Sequence, residues 1–499
     1  MAEHHVDVLI VGAGVSGIGA ACHLERECPG KSYAILERRR AIGGTWDLFR
    51  YPGIRSDSDM FTFGYNFQPW HDTKVLADGE SIRTYLRDTA REYGVERHIR
   101  FGAGVQKASW SSTDQRWTVT ATDEGTGETT TWTANFLLGC TGYYNYDRGH
   151  RPDFPGEERF AGTLVHPQHW PDDLDHRGKR IVIIGSGATA VTLMPALAQD
   201  AAHVTMLQRS PTYIVSLPAR DEITAAMRKV LPPAVAYKLA RARNITMQRA
   251  IYALARARPD LVRRLVVRGA RRQLGDHADL KHFTPEYDPW DQRLCVVPDG
   301  DLFRAIRAGK AEVVTDRIKT LTESGVELES GRHLDADIII TATGLAVQML
   351  GGAELEVDGR PVRINERVTY KGVLLEGVPN AALVFGYINA SWTLKADLAA
   401  EYTCRLLNYM DEHGYSTAVA RALDADRAAG SVMGALKSGY VVRGNAHLPR
   451  QGTRGPWKVT NNYLRDVPML RRAPIDDGVL EFGTHRASGA VSAHTPATA

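Results

Sequence analysis

Two glycine-rich turns of one kind, Gly12-Ala13-Gly14-Val15-Ser16-Gly17 and Gly185-Ser186-Gly187-Ala188-Thr189-Ala190, constrain this chain more than any other feature. Each follows an apolar run of strand character, Val6 to Val11 and Arg180 to Ile184, and each opens a segment that reads as helix. Glycine at such a turn lets the backbone approach a pyrophosphate, and the helix start supplies N–H groups and the positive end of a dipole. One such turn is a weak signal. Two in strand–turn–helix context predict two dinucleotides bound by one enzyme, and hence an α/β fold with two Rossmann-like dinucleotide-binding domains.

The residues that follow each turn distinguish the two nucleotides. The strand Tyr33-Ala34-Ile35-Leu36 runs into Glu37, whose carboxylate can accept hydrogen bonds from a ribose diol and would repel a 2′-phosphate. The strand His203 to Leu207 runs into Gln208-Arg209-Ser210. Guanidinium and hydroxyl donors there suit a 2′-phosphate, so the second nucleotide is expected to be NADPH.

At 499 residues the chain has room for about three domains. A net charge of +3 is too near balance to point to nucleic acid, and the five cysteines form no C-x-x-C pair that would mark a zinc site or a redox dithiol. A reducing, cytoplasmic setting is expected. No run is long and apolar enough to cross a bilayer, and Val6 to Val11 is too short and too polar for a signal core.

Residues 1–143 are expected to form the first part of one nucleotide domain, with antiparallel strands over 104–134, a Gly-rich turn at Asp123 to Glu128, and a separate buried strand Phe136 to Cys140 stopping at Thr141-Gly142. Residues 144–212 would hold a linker and the start of the second nucleotide domain, 213–289 a helical insertion, and 290–345 the rest of the second domain. Residues 346–485 would return to complete the first, and 486–499 would be a disordered tail. The run Asp337 to Gly344, ending in Thr343-Gly344, echoes Thr141-Gly142, and such pairs are expected where the chain crosses between the domains. The insertion carries thirteen Lys or Arg between Arg228 and Arg272 against the acids Asp221, Glu222, Asp260, Asp276 and Asp279. A solvated helical face is the expected reading, with an anionic membrane surface or a docking partner as the alternative.

Between the two units lies Phe160-Ala161-Gly162-Thr163-Leu164-Val165-His166-Pro167-Gln168-His169-Trp170-Pro171. This F-x-G-x-x-x-H-x-x-x-W-P pattern resembles the fingerprint of the Baeyer–Villiger flavin monooxygenases. Trp170-Pro171 favours that branch over related flavin monooxygenases, which usually carry Tyr there. The stretches Gly44-Thr45-Trp46-Asp47-Leu48-Phe49-Arg50-Tyr51-Pro52-Gly53 and Ser391-Trp392-Thr393-Leu394-Lys395-Ala396-Asp397 are similar to a mycobacterial branch of the family. The resemblance implies FAD in the first site, NADPH in the second and O2 as co-substrate. It also implies conversion of ketones to esters through a C4a-peroxyflavin, with S-oxygenation of sulfides or thioamides as a further activity. The alternative is a flavin monooxygenase that oxidises sulfur or nitrogen with little ketone activity; a third is a membrane-docking NADPH-flavin protein with oxidase leakage only.

The resemblance also carries residue roles. For FAD it implies Gly12, Gly14, Ser16, Gly17, Glu37, Gly44, Thr45, Trp46, Asp47, Arg55, Asp57, Val105 and Gly142. For NADPH it implies Gly185, Ser186, Gly187, Ala188, Thr189, Ala190, Gln208, Arg209 and Ser210. Arg293, in Trp290-Asp291-Gln292-Arg293, matches the family's catalytic arginine; a permanently charged guanidinium can stabilise a reactive anion without protonating it. Asp57 would pair with and orient Arg293. Many members carry Lys immediately before that arginine. Gln292 stands there in this chain, which shifts the NADPH preference onto Arg209 and Ser210. His166 is expected to be structural. The helix from Leu394 to Tyr409 could point its N-terminus at the flavin or simply be capped by Ser391 or Thr393.

Overall fold

A computed structural model describes residues 4–277, 279–292 and 294–484. Arg293 and the tail from residue 485 lie outside the described residues. The strands His4–Val11, Tyr33–Glu37 and Ile99–Phe101 pair in parallel, and Thr129–Gly139 joins His4–Val11 on its other side, also in parallel. Beyond it the sheet turns antiparallel through Arg116–Asp123 and Ala103–Ser111, joined by the turn at Asp123 to Glu128. Phe136 to Cys140 is therefore not a strand of its own. Residues 136–139 are the second half of an 11-residue strand whose first half pairs with Arg116–Asp123 and whose residues 132–139 lie beside His4–Val11. The polar-to-apolar switch along it marks the passage from a sheet face near solvent to one covered on both sides.

The second sheet is five-stranded and parallel throughout. Its order is Ala311–Thr315, His203–Gln208, Arg180–Ile184, Ile338–Thr341 and Thr163–Val165. Its near-continuous Val and Ile runs fit burial on both faces, since Ile181 and Ile183 enter one apolar cluster and Val182 and Ile184 another.

The chain visits the first sheet twice. Glu354–Val357 pairs in parallel with Ala103–Ser111, and Ala381–Leu383 with Thr129–Gly139. The long helix Trp392–His413 then packs on Val15–Glu27 through a shared cluster that includes Ala21, Leu24, Ala399 and Leu406. The two crossings between the sheets run side by side. Tyr144–Gly149 leaves the first, Leu345–Val347 returns from the second, and they pair antiparallel.

Between Leu217 and Cys295 lies a helical segment comprising Glu222–Val230, Pro233–Ala257 and Pro259–Leu274. Asp221 caps the first helix by accepting from the Thr224 amide at 2.9 Å, and proline opens the other two, where its missing N–H costs nothing. Short parallel strands, Ile214–Leu217 and Cys295–Pro298, close its base. Buried Arg241 ties the segment to the first domain. Its guanidinium donates to the carbonyls of Phe61 (3.0 Å) and Gly64 (2.6 Å) and reaches Asp397 Oδ2 at 3.4 Å.

Asp397 also accepts from the Asn66 amide at 2.9 Å, and its other oxygen lies 3.6 Å from His23 Nε2. His23 Nδ1 is 2.7 Å from Glu27 Oε1. Burial works to lower the His23 pKa, but Asp397 and Glu27 outweigh it and hold the ring at about 9. The imidazolium is thus favoured in the folded protein over the unfolded chain, where the ordinary value is about 6.5. Stability from this triad is fully present below pH 6.5 and fades as pH rises through about 9, by about 3 kcal/mol in all. The urea midpoint should accordingly fall across that window, and the difference between its two ends should shrink in His23→Gln; an identical pH profile in the variant would remove His23 as the source.

Candidate functional site

A cavity of about 510 Å³ opens where the C-terminal ends of the two sheets approach each other. Its floor is the first glycine turn. Gly12 takes φ +102°, and a Cβ there would lie 2.9 Å from the Cys140 carbonyl oxygen. A Cβ on Gly17 would collide with the Gly12 carbonyl oxygen. These contacts hold the helix Val15–Glu27 tightly against the strand it follows. The helix begins at Gly14 with no side chain capping it, so its first N–H groups face the cavity. Gly44, at φ +56°, comes so near that a Cβ on it would sit 3.0 Å from Gly14 Cα.

Glu37 closes one end. It is buried; Oε2 accepts from the Ala13 amide at 2.6 Å and Oε1 from the Arg39 amide at 2.8 Å. Burial pushes its carboxyl up, against the pull of those two amides. Thr45, Trp46, Arg55, Asp57, Val105 and Gly142 share the wall with Gly12, Gly14, Ser16 and Gly44. Ala188 and Thr189, from the second turn, complete it. Both glycine turns therefore address one space. Tyr51 lies between them, its phenol pushed up to about 12 by burial and eased by a hydrogen bond with Thr189.

Other expected residues are placed differently. Gly17 and Ala190 are buried beneath their turns and shape them without lining the cavity. Asp47 is turned away from it. Arg39 Nε and Arg50 Nη2, each at 2.8 Å, and Arg83 Nη1 at 3.4 Å hold its carboxylate, which braces the Gly43-Gly44 loop from behind. Arg55 borders the cavity, but its guanidinium is paired with Asp301 of the second domain at 2.7 Å, making it a tie between domains. Gln208 is also turned inward. Its Nε2 donates to the His282 carbonyl and to Thr315 Oγ1, both at 2.8 Å, so it does not face the second turn.

The second turn, Gly185-Ser186-Gly187, has Gly185 at φ +135°, where a Cβ would collide with the Ala342 carbonyl oxygen. Gly187 starts the helix Ala188–Leu197 without a side-chain cap. Arg209 and Ser210 are exposed beside it, and Ser186 Oγ donates to the Ser210 carbonyl at 3.3 Å.

Four features were not read from the sequence. Trp392 lines the cavity and donates from Nε1 to Ser16 Oγ at 2.8 Å, linking the returning helix to the first turn. Ser391 and Thr393 do not cap that helix: both hydroxyls are buried without a hydrogen-bond partner among the described residues. Tyr143 stacks on Trp392 with centroids 5.3 Å apart; the aromatic run Tyr143-Tyr144-Asn145-Tyr146 just past Thr141-Gly142 was the available signal. Arg443, far along the chain, lies against Gly344, with Nη2 3.3 Å from where a Cβ would be. Burial and the charge of Arg209 hold its pKa below the ordinary arginine value.

The fingerprint segment lies in the crossing, outside the cavity. Thr163–Val165 is the edge strand of the second sheet, and Gln168 Nε2 donates to the Asn145 carbonyl at 2.8 Å. His166 packs so closely on Gly149 that a Cβ there would overlap its ring, and burial lowers its pKa.

A fold with two parallel-sheet glycine turns opening on one cavity defines an oxidoreductase that holds two dinucleotides. This chain belongs to the flavin-binding monooxygenase-like family, whose sequence profile matches residues 5–408. It is 57% identical over 486 residues to the FAD-containing monooxygenase MymA of Mycobacterium tuberculosis, covering 96% of this chain and 98% of that protein. It is 54% identical over 480 residues to the FAD-containing monooxygenase EthA of the same organism, with coverage of 96% and 98%. Its fold matches that of a steroid monooxygenase bound to NADP with a TM-score of 0.70 at 24% identity, over 83% of this chain and 88% of that one.

The two turns differ in how much space they leave. Gly17→Ala should yield protein that retains no flavin or does not fold, because its methyl meets backbone. Gly187→Ala has nothing within 4 Å of the new Cβ and should keep flavin and fold stability. The ratio of visible to ultraviolet absorbance of each purified variant decides it, and a yellow Gly17→Ala protein would contradict the packing.

Proposed function

We propose that this flavin monooxygenase is FAD- and NADPH-dependent and of Baeyer–Villiger type, converting ketones to esters. The observation that carries the reading is the single cavity reached by both glycine turns, with the F-x-G-x-x-x-H-x-x-x-W-P segment packed on the crossing strand Tyr144–Gly149 beside it.

The residues present fit FAD. Gly12 and Gly14 give backbone room for the pyrophosphate, the uncapped helix start provides N–H groups for it, and Glu37 is placed to accept from the ribose diol. Trp46, Tyr143 and Trp392 supply flat apolar surface along the cavity, and the buried hydroxyls of Ser391 and Thr393 at the start of the returning helix await polar partners. When bound, FAD passes electrons from NADPH to O2; one oxygen atom enters the substrate and the other leaves as water.

NADPH would lie on the second turn, its pyrophosphate over Gly185-Ser186-Gly187 and its nicotinamide directed past Ala188 and Thr189 into the shared cavity. Arg209 and Ser210 are assigned to the 2′-phosphate. Arg443 joins them as the second cation, the role that Lys fills where this chain has Gln292. Two guanidiniums whose charges oppose each other there are relieved by a dianion.

Arg293 is assigned the task of stabilising negative charge during oxygen transfer, with Asp57, on the cavity wall, orienting it. Tyr51 and the apolar wall exclude water, which protects a reactive oxygen species from premature protonation.

Product analysis tests the ketone assignment. Phenylacetone should give benzyl acetate with NADPH consumption coupled to ester. Recovery of intact phenylacetone together with efficient oxidation of a thioether would instead make the protein a heteroatom oxygenase. Arg293→Ala should keep FAD and still be reduced by NADPH, yet lose ester formation by a few hundred-fold, about 3 kcal/mol of transition-state stabilisation.

A further inference from the structure

The helical segment presents an apolar surface that no described residue covers. Nine of the thirteen large hydrophobic side chains exposed among the described residues lie between Ile223 and Leu265. Scattered singly, such residues would mean little. Here they fall in register. Met247, Ile251 and Leu254 are spaced i, i+4, i+7 on the helix Pro233–Ala257, and Leu261 and Leu265 are spaced i, i+4 on Pro259–Leu274. All five are between 39% and 52% exposed, and they occupy the halves of the two helices that meet at the Arg258-Pro259 turn. The first half of Pro233–Ala257 is the part that packs, through Ala236, Tyr237, Ala240, Arg241 and Asn244, and the exposed residues continue along the helix beyond it.

The surroundings are strongly cationic. From Met247 to Arg272 there are eight arginines and one acid, Asp260. Arg256 and Arg263 are neutralised by Asp291 and Asp288 from the neighbouring loop. Arg258, Arg264, Arg268, Arg271 and Arg272 make no ion pair with any described residue, and all five are exposed. On Pro259–Leu274, Arg268 and Arg272 continue the line begun by Leu261 and Leu265, so apolar and basic groups share one exposed stripe.

We propose that the corner formed by these two helices docks on an anionic lipid surface, its leucines, isoleucine and methionine entering the headgroup boundary and its free arginines meeting lipid phosphates. A second copy of the chain is a poor occupant, because joining two such faces would bring their unpaired arginines together. Nucleic acid would answer the charge but not the apolar stripe. Charge alone does not distinguish this face from a solvated one; the exposed apolar residues in register do. The inner side of the same helix places Ile245 against Tyr387, which lines the nucleotide cavity. A docked enzyme would thus hold its cavity close to a reservoir of apolar substrate. Docking does not depend on which substrate that is.

Co-sedimentation of the flavin-loaded protein with vesicles of two parts phosphatidylcholine to one part phosphatidylglycerol tests this, with pure phosphatidylcholine vesicles beside it. Binding is expected to the mixed vesicles only and should weaken with salt. Ile251→Gln/Leu254→Gln/Leu261→Gln/Leu265→Gln should abolish it, and Arg264→Gln/Arg268→Gln/Arg271→Gln should lower partitioning on the order of 100-fold. Unchanged flavin content and thermal midpoint identify the variants as folded. For a variant that fails that check, hydrogen exchange of residues 247–265 in the wild-type protein serves instead, slowing on mixed vesicles being the expected result. No binding of wild type to mixed vesicles, equal binding to neutral ones, or undiminished binding by the apolar variant would each overturn the proposal. So would lipid-free dimerisation in sedimentation velocity that the apolar variant loses.

Discussion

Everything in this molecule hangs on a backbone contact made twice. In each sheet the first glycine of the turn presses against the carbonyl that ends the neighbouring parallel strand, Gly12 against Cys140 and Gly185 against Ala342. A side chain at either position would push strand and turn apart. That contact places each helix start at the C-terminal edge of its sheet, where a pyrophosphate can be held by N–H groups alone. It also sets where the chain leaves, because Thr141-Gly142 and Thr343-Gly344 follow those two carbonyls directly. The two departing segments then pair with each other as Tyr144–Gly149 and Leu345–Val347, so the geometry that builds the nucleotide turns also aligns the sheets.

From this follows the shared cavity. The first turn supplies its floor, the second its far wall, and Arg55 with Asp301 a charged tie across the gap. The return of the chain adds what neither nucleotide unit has alone: Trp392, hydrogen-bonded to Ser16, and a buried long helix whose first hydroxyls lack partners among the described residues. The helical segment inserted in the second unit reaches back through Arg241 to Asp397 on that same helix. Three distant parts of the sequence thus converge on one helix beside the cavity.

Local sequence signals carried most of the fold. Strands such as Arg180–Ile184 and Tyr33–Glu37 could be read from apolar runs bounded by glycine or charge, and the Thr-Gly echo foretold the crossings. Features set by tertiary contact could not be read in this way. Phe136 to Cys140 looked separate because its polarity differs from residues 129–135, although one strand continues through both. Gln208 was expected to face a nucleotide because it ends a strand, yet the His282 carbonyl and Thr315 claim its amide from across the sheet. Asp47 follows a glycine pair that faces the cavity, but three arginines, one from each of three loops or helices, draw it behind. The exposed stripe on the insertion is invisible to a charge count, since apolar residues at helical spacing read equally well as core. Arg443 shares no motif with Arg209, and only the return of the chain brings it within reach of that charge.

The central claim is that both nucleotides are held at once, with the second reaching the first across the common cavity. Anaerobic titration of the flavin-loaded protein with NADPH tests it most directly. The visible flavin band should bleach with one equivalent while the flavin stays bound through gel filtration. Flavin released on addition of NADPH, or a band that persists in its presence, would contradict it.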